Sequence, residues 1–452
     1  MNIVSRIADI TAVPLMILLA GGGVFLTFRL GFIQFRYFSH IMRMTFGKIF
    51  EKSSGEGTIS SFQAVTGALA STIGAANIVG VPVAIALGGP GAIFWMWMVA
   101  LLGMATKYSE IVLGVKYRVL NKKGDYVGGP MYYIRDGLGW KWMAFLFAFV
   151  GLAVPISSLS AQANSLSGVL NSSFQVPHIV TGLVISVLVA LIMFGGLKSI
   201  GRFAEKVIPS MVVLYLAAAI IVITFNFRTV PEAFVMIFQY AFTPISAAGG
   251  FAGAAIAAAI QNGVTRGLYS NEAGIGSGAI FHAGAKIKHP SQQGFWGVFE
   301  VFVDTIVVCT LTALVILSTD AWKILGPDKA AGMTAEAMST VFGNNLAGSI
   351  IALAIFFFSF TTILMVTYAG EKQAEFLFGY KVSVIFRYIF IGMIIFGSVS
   401  SLTLIWGLLD ISLTLTVVPN MIAVILLSGK VKEITADYFT NHKKSVSHHK
   451  RT

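Results

Sequence analysis

The chain has 452 residues, of which 56% are hydrophobic and only 11% are charged, and its mean hydropathy is +0.82. Soluble domains carry about 25% charged residues, so the composition excludes a soluble protein and indicates a membrane protein with several spans. The net charge of +12 would also suit a nucleic-acid-binding protein, and the positions of the basic residues decide between the two explanations.

Long apolar runs divide the chain into predicted spans of about 20 residues each. These runs are 8–28, 60–86, 91–115, 142–170, 178–197, 205–225, 250–284, 293–318, 346–369, 383–398 and 402–428, which makes eleven spans. Outside them we predict a basic surface stretch at 29–52, a surface helix at 229–245 and a helical cap over a cavity at 320–344. We expect GGLKSIGRFAEK to end the helix between spans five and six, and the tail from Lys430 to be mobile.

The basic residues alternate between the two ends of these spans. If the N-terminus lies outside, the cytoplasmic segments hold 25 of the 31 Lys and Arg residues. Because cytoplasmic loops are enriched in Lys and Arg, we predict an outer N-terminus and a cytoplasmic C-terminus in the cell membrane. Topology then explains the charge, and no nucleic-acid partner is expected. The lone Cys309 supports neither a disulfide framework nor a metal cluster.

Two of the predicted spans have an unusual composition. Residues 66–82, TGALASTIGAANIVGVP, are rich in small and polar residues, and residues 271–278 interrupt span seven with Asn, Glu and Gly. Exposed backbone at membrane depth is tolerated only where it is buried in protein or lines a cavity. Small residues also occur where membrane helices pack closely, but Glu272 favours a functional site because an ionisable group in the membrane is costly.

The two interruptions lie five spans apart. This spacing is expected if spans two to six and seven to eleven are inverted halves, and broken helices at corresponding places in two halves point to a transport site. We therefore predict an all-α polytopic membrane protein with one N-terminal helix and a core of five plus five helices. The predicted units are 1–58, a first repeat at 59–226, an outer connector at 227–249, a second repeat at 250–428 and a basic cytoplasmic tail at 429–452.

Two motifs carry a family resemblance. GGPGAIFWMWMVALLG, residues 88–103, resembles the signature of the alanine or glycine:cation symporter family, and RGLYSNEAGIGS, residues 266–277, resembles its second hallmark. The resemblance implies the leucine-transporter fold of the amino acid-polyamine-cation group. It also implies import of alanine or glycine with sodium as the coupling ion, with no organic cofactor. The expected partners are a small neutral amino acid and the lipid bilayer, and no obligate protein partner is evident.

The resemblance also implies two sodium sites. One site would use the carbonyl of Thr72 and the side chain of Asn77. The second site would use the other ligands named in the next sentence. The implied sodium ligands are Ala70, Thr72, Ile73, Asn77, Phe358, Thr361 and Thr362. Hard oxygen donors suit an alkali cation, although Thr361 and Thr362 also suit hydrogen bonds to their own helix.

The predicted substrate pocket is built largely from backbone. Its predicted residues are Thr72, Gly74, Ala75, Ala76, Asn77, Gln162, Asn164, Asn271, Gly274, Gly276 and Ser277. Gln162 and Asn164 suit either the amino acid or a hydrogen bond between helices.

The acids in span eight depart from the leucine-transporter pattern, which has an Asn there. Glu300 and Asp304 lie one helical turn apart. They, together with Glu272, are candidates for ion coupling, and an ion pair with Lys107 or Arg266 is the alternative. We expect Lys107 and Glu110 to form a structural pair with each other.

The function predicted from these features is sodium-coupled symport of small neutral amino acids by alternating access. Proton coupling is the alternative within the same class. An intramembrane enzyme is disfavoured because no HExxH or GxSxG motif occurs and His282 has no evident Ser or Asp partner. A channel would conduct solute without concentrating it. The chain contains no ATP-binding loop, so an ion gradient must supply the energy.

Overall fold

A computed structural model describes residues 3–49, 51, 53–74, 76–243, 252–325, 327–400 and 402–449. The described chain is almost entirely helical, and its only strands form one short antiparallel pair, in which Val119 lies opposite Val127. Part of the predicted outer connector, 244–249, lies outside the described residues.

The described residues of the first half, up to 243, contain twelve α-helices. They are α1 (Ile3–Arg29), α2 (Ile33–Arg36), α3 (Phe38–Met44), α4 (Ser61–Thr72), α5 (Val81–Gly88), α6 (Ala92–Lys116), α7 (Pro130–Gly137), α8 (Lys141–Gly151), α9 (Ala153–Phe174), α10 (His178–Met193), α11 (Gly196–Phe225) and α12 (Val230–Phe242). A 3-10 turn spans Phe46–Lys48, a π-helical turn spans Ala76–Gly80, and β1 (Val119–Leu120) pairs with β2 (Tyr126–Val127).

The part that the structure describes from residue 252 onward contains ten more. They are α13 (Ala252–Asn271), α14 (Ser277–His282), α15 (Pro290–Val301), α16 (Thr310–Ser318), α17 (Ala321–Ile324), α18 (Met333–Phe342), α19 (Asn344–Phe378), α20 (Tyr380–Val399), α21 (Leu402–Leu426) and α22 (Ser428–His449). A π-helical stretch, Phe302–Cys309, joins α15 to α16, and a 3-10 turn spans Pro327–Gly332.

Six helical segments of the described chain are long and apolar enough to cross a membrane, and two bent pairs bring the number to as many as eight. Shorter apolar helices at Pro14–Arg29, His178–Met193 and Val230–Phe242 accompany them. The chain is therefore a multi-pass membrane protein, while eleven spans and an inverted repeat stay predictions. Exposed apolar side chains such as Leu183, Val187 and Leu191 on α10 form the surface expected to face lipid.

Helix ends follow local sequence signals. Ser60 and Gln63 form a reciprocal capping box before α4, with the Ser60 side chain accepting from the Gln63 amide and the Gln63 side chain accepting from the Ser60 amide. Gly343 and Gly379 adopt left-handed backbone next to α19, which fixes both ends of that 35-residue helix.

The prediction that GGLKSIGRFAEK ends a helix is wrong for most of that segment. Helix α11 begins at Gly196 and runs without interruption through these residues. Leu197, Ile200 and Ala204 are buried, which is the spacing of one helical face. The charged side chains of Lys198 and Arg202 lie on the exposed face, so they need no loop.

The expectation of a mobile tail is also wrong for the described part of it. Val431 and Tyr438 of helix α22 are buried, and their spacing places both on the same face of the helix. The Tyr438 hydroxyl hydrogen-bonds to His40 at 3.1 Å, and its ring contacts Phe295 at a centroid distance of 5.1 Å. The tail is thus docked against the basic surface segment and α15.

The predicted cap at 320–344 contacts the first broken span. Helix α18 places the Thr334 hydroxyl 2.7 Å from the Ile78 carbonyl oxygen, which accepts its hydrogen bond within the π-helical turn. Because a π-helical turn disturbs the regular backbone ladder, its carbonyls need partners outside the helix, and α18 provides one.

The crossing of α6 and α15 depends on glycine. A Cβ at Gly294 would lie 2.7 Å from both Tyr108 and Val112, so Gly294→Val is expected to force these helices apart. Overpacking of this kind costs about 1–3 kcal/mol, and the thermal unfolding temperature in detergent should fall. Gly392→Ala is the matched control, since a Cβ there meets nothing within 4 Å. Equal unfolding temperatures for Gly294→Val and wild type would contradict this description of the crossing.

Candidate functional site

The first break follows α4. Ile73 has an extended backbone (ψ 92°), and the chain bends by 45° between the segments Ser61–Thr72 and Ala76–Gly88. The Gly74 amide donates to Asn77 Oδ1 at 2.9 Å, so the side chain of Asn77 satisfies backbone that the interrupted helix leaves open. Ala75, predicted to face the substrate, lies outside the described residues.

The second break follows α13. Glu272, Gly274 and Gly276 all have left-handed backbone, with φ of 53°, 99° and 89°. Glycine adopts this conformation without steric cost, which explains why the hallmark sequence carries two glycines between the end of α13 and the start of α14. The Asn271 side chain accepts from the Ala273 amide at 3.0 Å and stabilises the turn.

A cavity lies between the two breaks, α9, α19 and α21. It is lined by Ser71, Thr72, Gly74, Ala76, Val154, Pro155, Ser158, Gln162, Tyr269, Glu272, Ile275, Ser277, Ile280, Phe281, Thr362, Val366, Ala369, Gln373, Leu409, Leu413 and Thr416. Hydroxyl, amide and carboxyl groups thus share the cavity with apolar side chains, an arrangement typical of sites for small polar molecules.

Some of the predicted substrate residues meet at this cavity. Thr72, Gly74, Ala76, Gln162 and Ser277 line it. Sequence reasoning missed others, including the cavity-lining Ser158, Tyr269 and Gln373. Ser71 also lines the cavity, and its position next to Thr72 in the first unusual segment was a usable signal. Nothing in the sequence distinguished Ser158 or Gln373 from ordinary packing residues.

Other predicted substrate residues lie away from the cavity lining. Asn164 donates to the carbonyls of Ser400 (2.7 Å) and Gly397 (3.2 Å), which is the interhelical alternative. A Cβ at Gly274 would meet Leu19 and one at Gly276 would meet Pro130, so both glycines allow close packing instead. Asn271 is fully buried, and Asn77 points to other polar groups described below.

The predicted cation ligands divide into two groups. The Thr362 hydroxyl lies 2.9 Å from the carbonyl oxygens of both Ala70 and Phe358, which brings three of the implied ligands together across α4 and α19. Thr361 donates only to carbonyls of its own helix, at Phe357 (2.9 Å) and Phe358 (3.0 Å), whereas Thr362 contacts Phe358 of its own helix and also Ala70 of α4. The back-bonding alternative therefore describes Thr361.

The other two implied backbone ligands lie at the end of α4; they are Thr72 and Ile73. Ile73 is buried, and its amide donates to the Leu69 carbonyl at 2.7 Å. The Thr72 hydroxyl lies 3.4 Å from the carbonyls of both Ala68 and Leu69. The side chain of Thr72 thus belongs to its helix, although the residue lines the cavity.

Glu300 forms an ion pair. Its carboxylate lies 2.9 Å from Lys107 Nζ, and both side chains are fully buried. Lys107 also donates to the carbonyl of Asn271 at 3.1 Å, at the C-terminal end of α13. His282 Nε2 lies 3.4 Å from the other Glu300 oxygen. The ion-pair alternative therefore describes Glu300.

The predicted pair between Lys107 and Glu110 is wrong. Lys107 points to Glu300 on α15, while Glu110 accepts a hydrogen bond from the Asn420 amide of α21. The same Asn420 amide donates to the Gly274 carbonyl at 2.8 Å, and Tyr133 donates to Asn420 Oδ1. Lys107 and Glu110 are thus paired with side chains on other helices and not with each other.

Asp304 contacts both broken spans. It lies in the π-helical stretch, is fully buried, and accepts from Asn77 Nδ2 and from Ser270 Oγ, each at 2.7 Å. The Thr305 hydroxyl donates to it at 2.7 Å as well. Within the described residues no Lys or Arg nitrogen lies within 4.0 Å of Asp304. The proposed ion pair thus fails for Asp304, unlike Glu300.

Comparison with known proteins agrees with this architecture. The model of the sodium:alanine symporter family matches residues 1–452. The uncharacterized transporter YflA of Bacillus subtilis is 45% identical over 95% of this chain and 91% of its own length. The sodium/alanine symporter AgcS of Methanococcus maripaludis is 40% identical over 92% of each chain.

The fold also matches solved structures. The crystal structure of MhsT in complex with L-phenylalanine, a transporter of the leucine-transporter fold, covers 82% of this chain and 89% of its own with a TM-score of 0.61 at 13% identity. The protein is a transporter and not an enzyme. The resemblance noted in its two motifs is confirmed, and the chain belongs to the sodium:alanine symporter family.

Proposed function

We propose that this protein is a secondary active symporter that imports a small neutral amino acid, alanine or glycine, together with sodium. The observation that carries the proposal is the polar cavity bounded by both broken helices beside the cluster of Thr362 with the Ala70 and Phe358 carbonyls. The relative AgcS is a sodium/alanine symporter, which supports the same substrate and ion.

Sodium would bind at two places. The first is the Thr362 cluster, where the hydroxyl hydrogen turns away and three neutral oxygens face the ion, as suits a hard cation. The second lies at the Thr72 carbonyl and the Asn77 side chain, with Asp304 as the nearby negative charge. A carboxylate at this place would balance the ion's charge in a site shielded from water.

The cavity supports an inward-facing state. From Thr362 its lining continues along one face of α19 through Val366 and Ala369 to Gln373. That direction leads to the end of the helix near Lys372 and Arg387, which the distribution of basic residues assigns to the cytoplasm. At the opposite end α18 covers the first break through the bond from Thr334 to Ile78. Alternating access would require α18 and the broken spans to separate.

Removing the Thr362 hydroxyl is expected to weaken sodium binding. We predict that Thr362→Ala raises the sodium concentration for half-maximal alanine uptake at least tenfold, and that Thr361→Ala has a smaller effect because its hydroxyl does not reach α4, whereas that of Thr362 also contacts the Ala70 carbonyl. We expect the loss of this polar contact to a charge to be comparable to the loss of a hydrogen bond to a charged group, about 1.5–3 kcal/mol. The measurement is uptake of radiolabelled alanine into proteoliposomes under an inward sodium gradient.

The same assay tests the function itself. Accumulation of alanine above the external concentration, abolished when sodium is replaced by potassium at fixed pH, is the expected result. Accumulation driven by a proton gradient in the absence of sodium would instead establish the proton-coupled alternative, which the cavity-lining carboxyl of Glu272 favours. Uptake that never exceeds equilibration would indicate a channel. Unchanged sodium dependence in the double variant Thr361→Ala with Thr362→Ala would contradict the proposed cation site.

A further inference from the structure

Glu272 holds a carboxylate at the point where the two broken spans meet. Its oxygens accept hydrogen bonds from Ser71 of α4, at 3.1 and 3.0 Å, and from Ser277 at the start of α14, at 2.6 Å. The side chain is half-buried and lines the cavity. Its residual exposure is therefore toward the space that the substrate would occupy.

Among the described residues, this carboxylate forms no ion pair. In the part of the chain that the structure describes, no nitrogen of Lys, Arg or His lies within 4.0 Å of it. Lys107 is already paired with Glu300 and donates to the Asn271 carbonyl. Serine hydroxyls supply hydrogen bonds but no positive charge. Because a charge without a direct ion-pair partner is costly away from bulk water, a cation entering through the cavity would be favoured here.

The chemistry of the remaining acceptors favours an ammonium as that cation. From the described residues Glu272 Oε1 accepts only the 3.1 Å bond from Ser71, which leaves it capacity for another donor. Gln162 Oε1 is buried without a hydrogen-bond partner in the described part of the chain, and its side chain also lines the cavity. An ammonium presents three donors and needs acceptors of this kind, whereas the cluster at Thr362 offers sodium a separate set of neutral oxygens.

We propose that Glu272, with Gln162 as a second acceptor, binds the ammonium of the transported amino acid. The inference rests on the proposed function and adds the residue that makes the site specific for amino acids over other small carboxylates. A charge-assisted hydrogen bond from ammonium to carboxylate is about twice as strong as a neutral one. Acids without an amino group would bring a carboxylate near Glu272 with no ammonium to balance the two negative charges, and they would be rejected.

The test compares L-alanine with L-lactate, which has a hydroxyl where alanine has the ammonium. Both are measured as inhibitors of radiolabelled alanine uptake by the full chain in proteoliposomes at saturating sodium. Glu272→Gln is expected to weaken the affinity for alanine by roughly 10- to 100-fold, as for a lost hydrogen bond to a charged group. Inhibition by lactate should stay the same or strengthen, so the preference for alanine falls by at least that factor.

Two further variants separate this role from a structural one. Ser277→Ala keeps the carboxylate and loses one neutral donor, so the preference for alanine over lactate should be preserved. Glu272→Asp keeps the charge, and it should also preserve the preference even if both affinities fall. Glu433→Gln removes an exposed carboxylate that pairs with Lys430 and should change nothing.

Several results would overturn the inference. They are an unchanged affinity for alanine in Glu272→Gln, an equal loss of alanine and lactate, or a loss of sodium affinity with alanine affinity preserved. If Glu272→Gln is not recovered as folded protein, loss of the preference in Glu272→Asp overturns it instead. Sodium-driven accumulation of alanine by the wild type leaves the proposed function standing in each of these cases. A wild type that fails to accumulate alanine overturns the function and this inference together.

Discussion

Replacing Lys107 by Met is expected to cause the largest loss of stability of any single change considered. The substitution leaves the Glu300 carboxylate fully buried, with the His282 imidazole as its remaining neighbour among the ion pairs of the described residues, and it removes the donor to the Asn271 carbonyl. Breaking a buried ion pair by removing one partner costs about 3–5 kcal/mol. The thermal unfolding temperature in detergent should fall strongly, together with transport, since Lys107 supports the end of α13 next to the second break.

A double variant shows whether the loss comes from the unpaired charge. Replacing both members of a buried pair by apolar residues is often neutral, so Lys107→Met with Glu300→Met should recover most of the stability lost by Lys107→Met alone. Lys323→Met is the matched control, because Lys323 and Asp320 form an exposed pair of the kind that contributes little. Lys107→Met as stable as wild type would show that the pair does not hold these helices together.

Replacing Asp304 by Ala is expected to abolish sodium-driven uptake. Three buried donors, on Asn77, Ser270 and Thr305, would lose their shared acceptor. Each buried group left without a partner costs about 1–3 kcal/mol, and the geometry of Asn77 beside the first break would no longer be maintained. We expect uptake to fall at least 100-fold, with a smaller loss in Asp304→Asn, whose amide oxygen still accepts hydrogen bonds.

The difference between these two variants separates geometry from charge. If Asp304→Asn takes up alanine normally but requires far more sodium, the negative charge contributes to ion binding. If Asp304→Asn matches wild type in both respects, the carboxylate serves only as an acceptor. Asp320→Asn, at an exposed acid, is the control and should behave as wild type. Wild-type uptake by Asp304→Ala would contradict the role assigned to the buried network around Asn77.

The positions of the two breaks were predictable from composition. Gly, Asn and Pro in residues 66–82 and the Gly-rich hallmark at 271–278 disfavour an uninterrupted helix. The backbone departs from regular helix at Ile73 and at Glu272, Gly274 and Gly276, as this chemistry requires. Local conformational preference, which depends on few neighbours, is the part of a fold that a sequence specifies most directly.

The partners of the acids were not predictable in the same way. Spacing along α6 suggested that Lys107 pairs with Glu110. In the structure Lys107 pairs with Glu300 of α15, and Glu110 accepts a hydrogen bond from Asn420 of α21. The sequence left Glu300 and Asp304 with the same two alternatives, and only the arrangement of helices gave the first an ion pair and the second a hydrogen-bonded network. Residues far apart in the chain decide such contacts, so periodicity carries no information about them.

By itself the sequence determined that this is a polytopic membrane protein of the sodium:alanine symporter family with two interrupted helices, because hydropathy, breaks and motifs are local properties. Only the tertiary structure decided which polar residues share a cavity. Gln162 and Glu272 line the cavity, whereas Asn164 forms a hydrogen bond between helices. Gly274 and Gly276 allow close packing against neighbouring side chains. The physical reason is that a cavity is the space left between helices, and its lining depends on how they pack against one another.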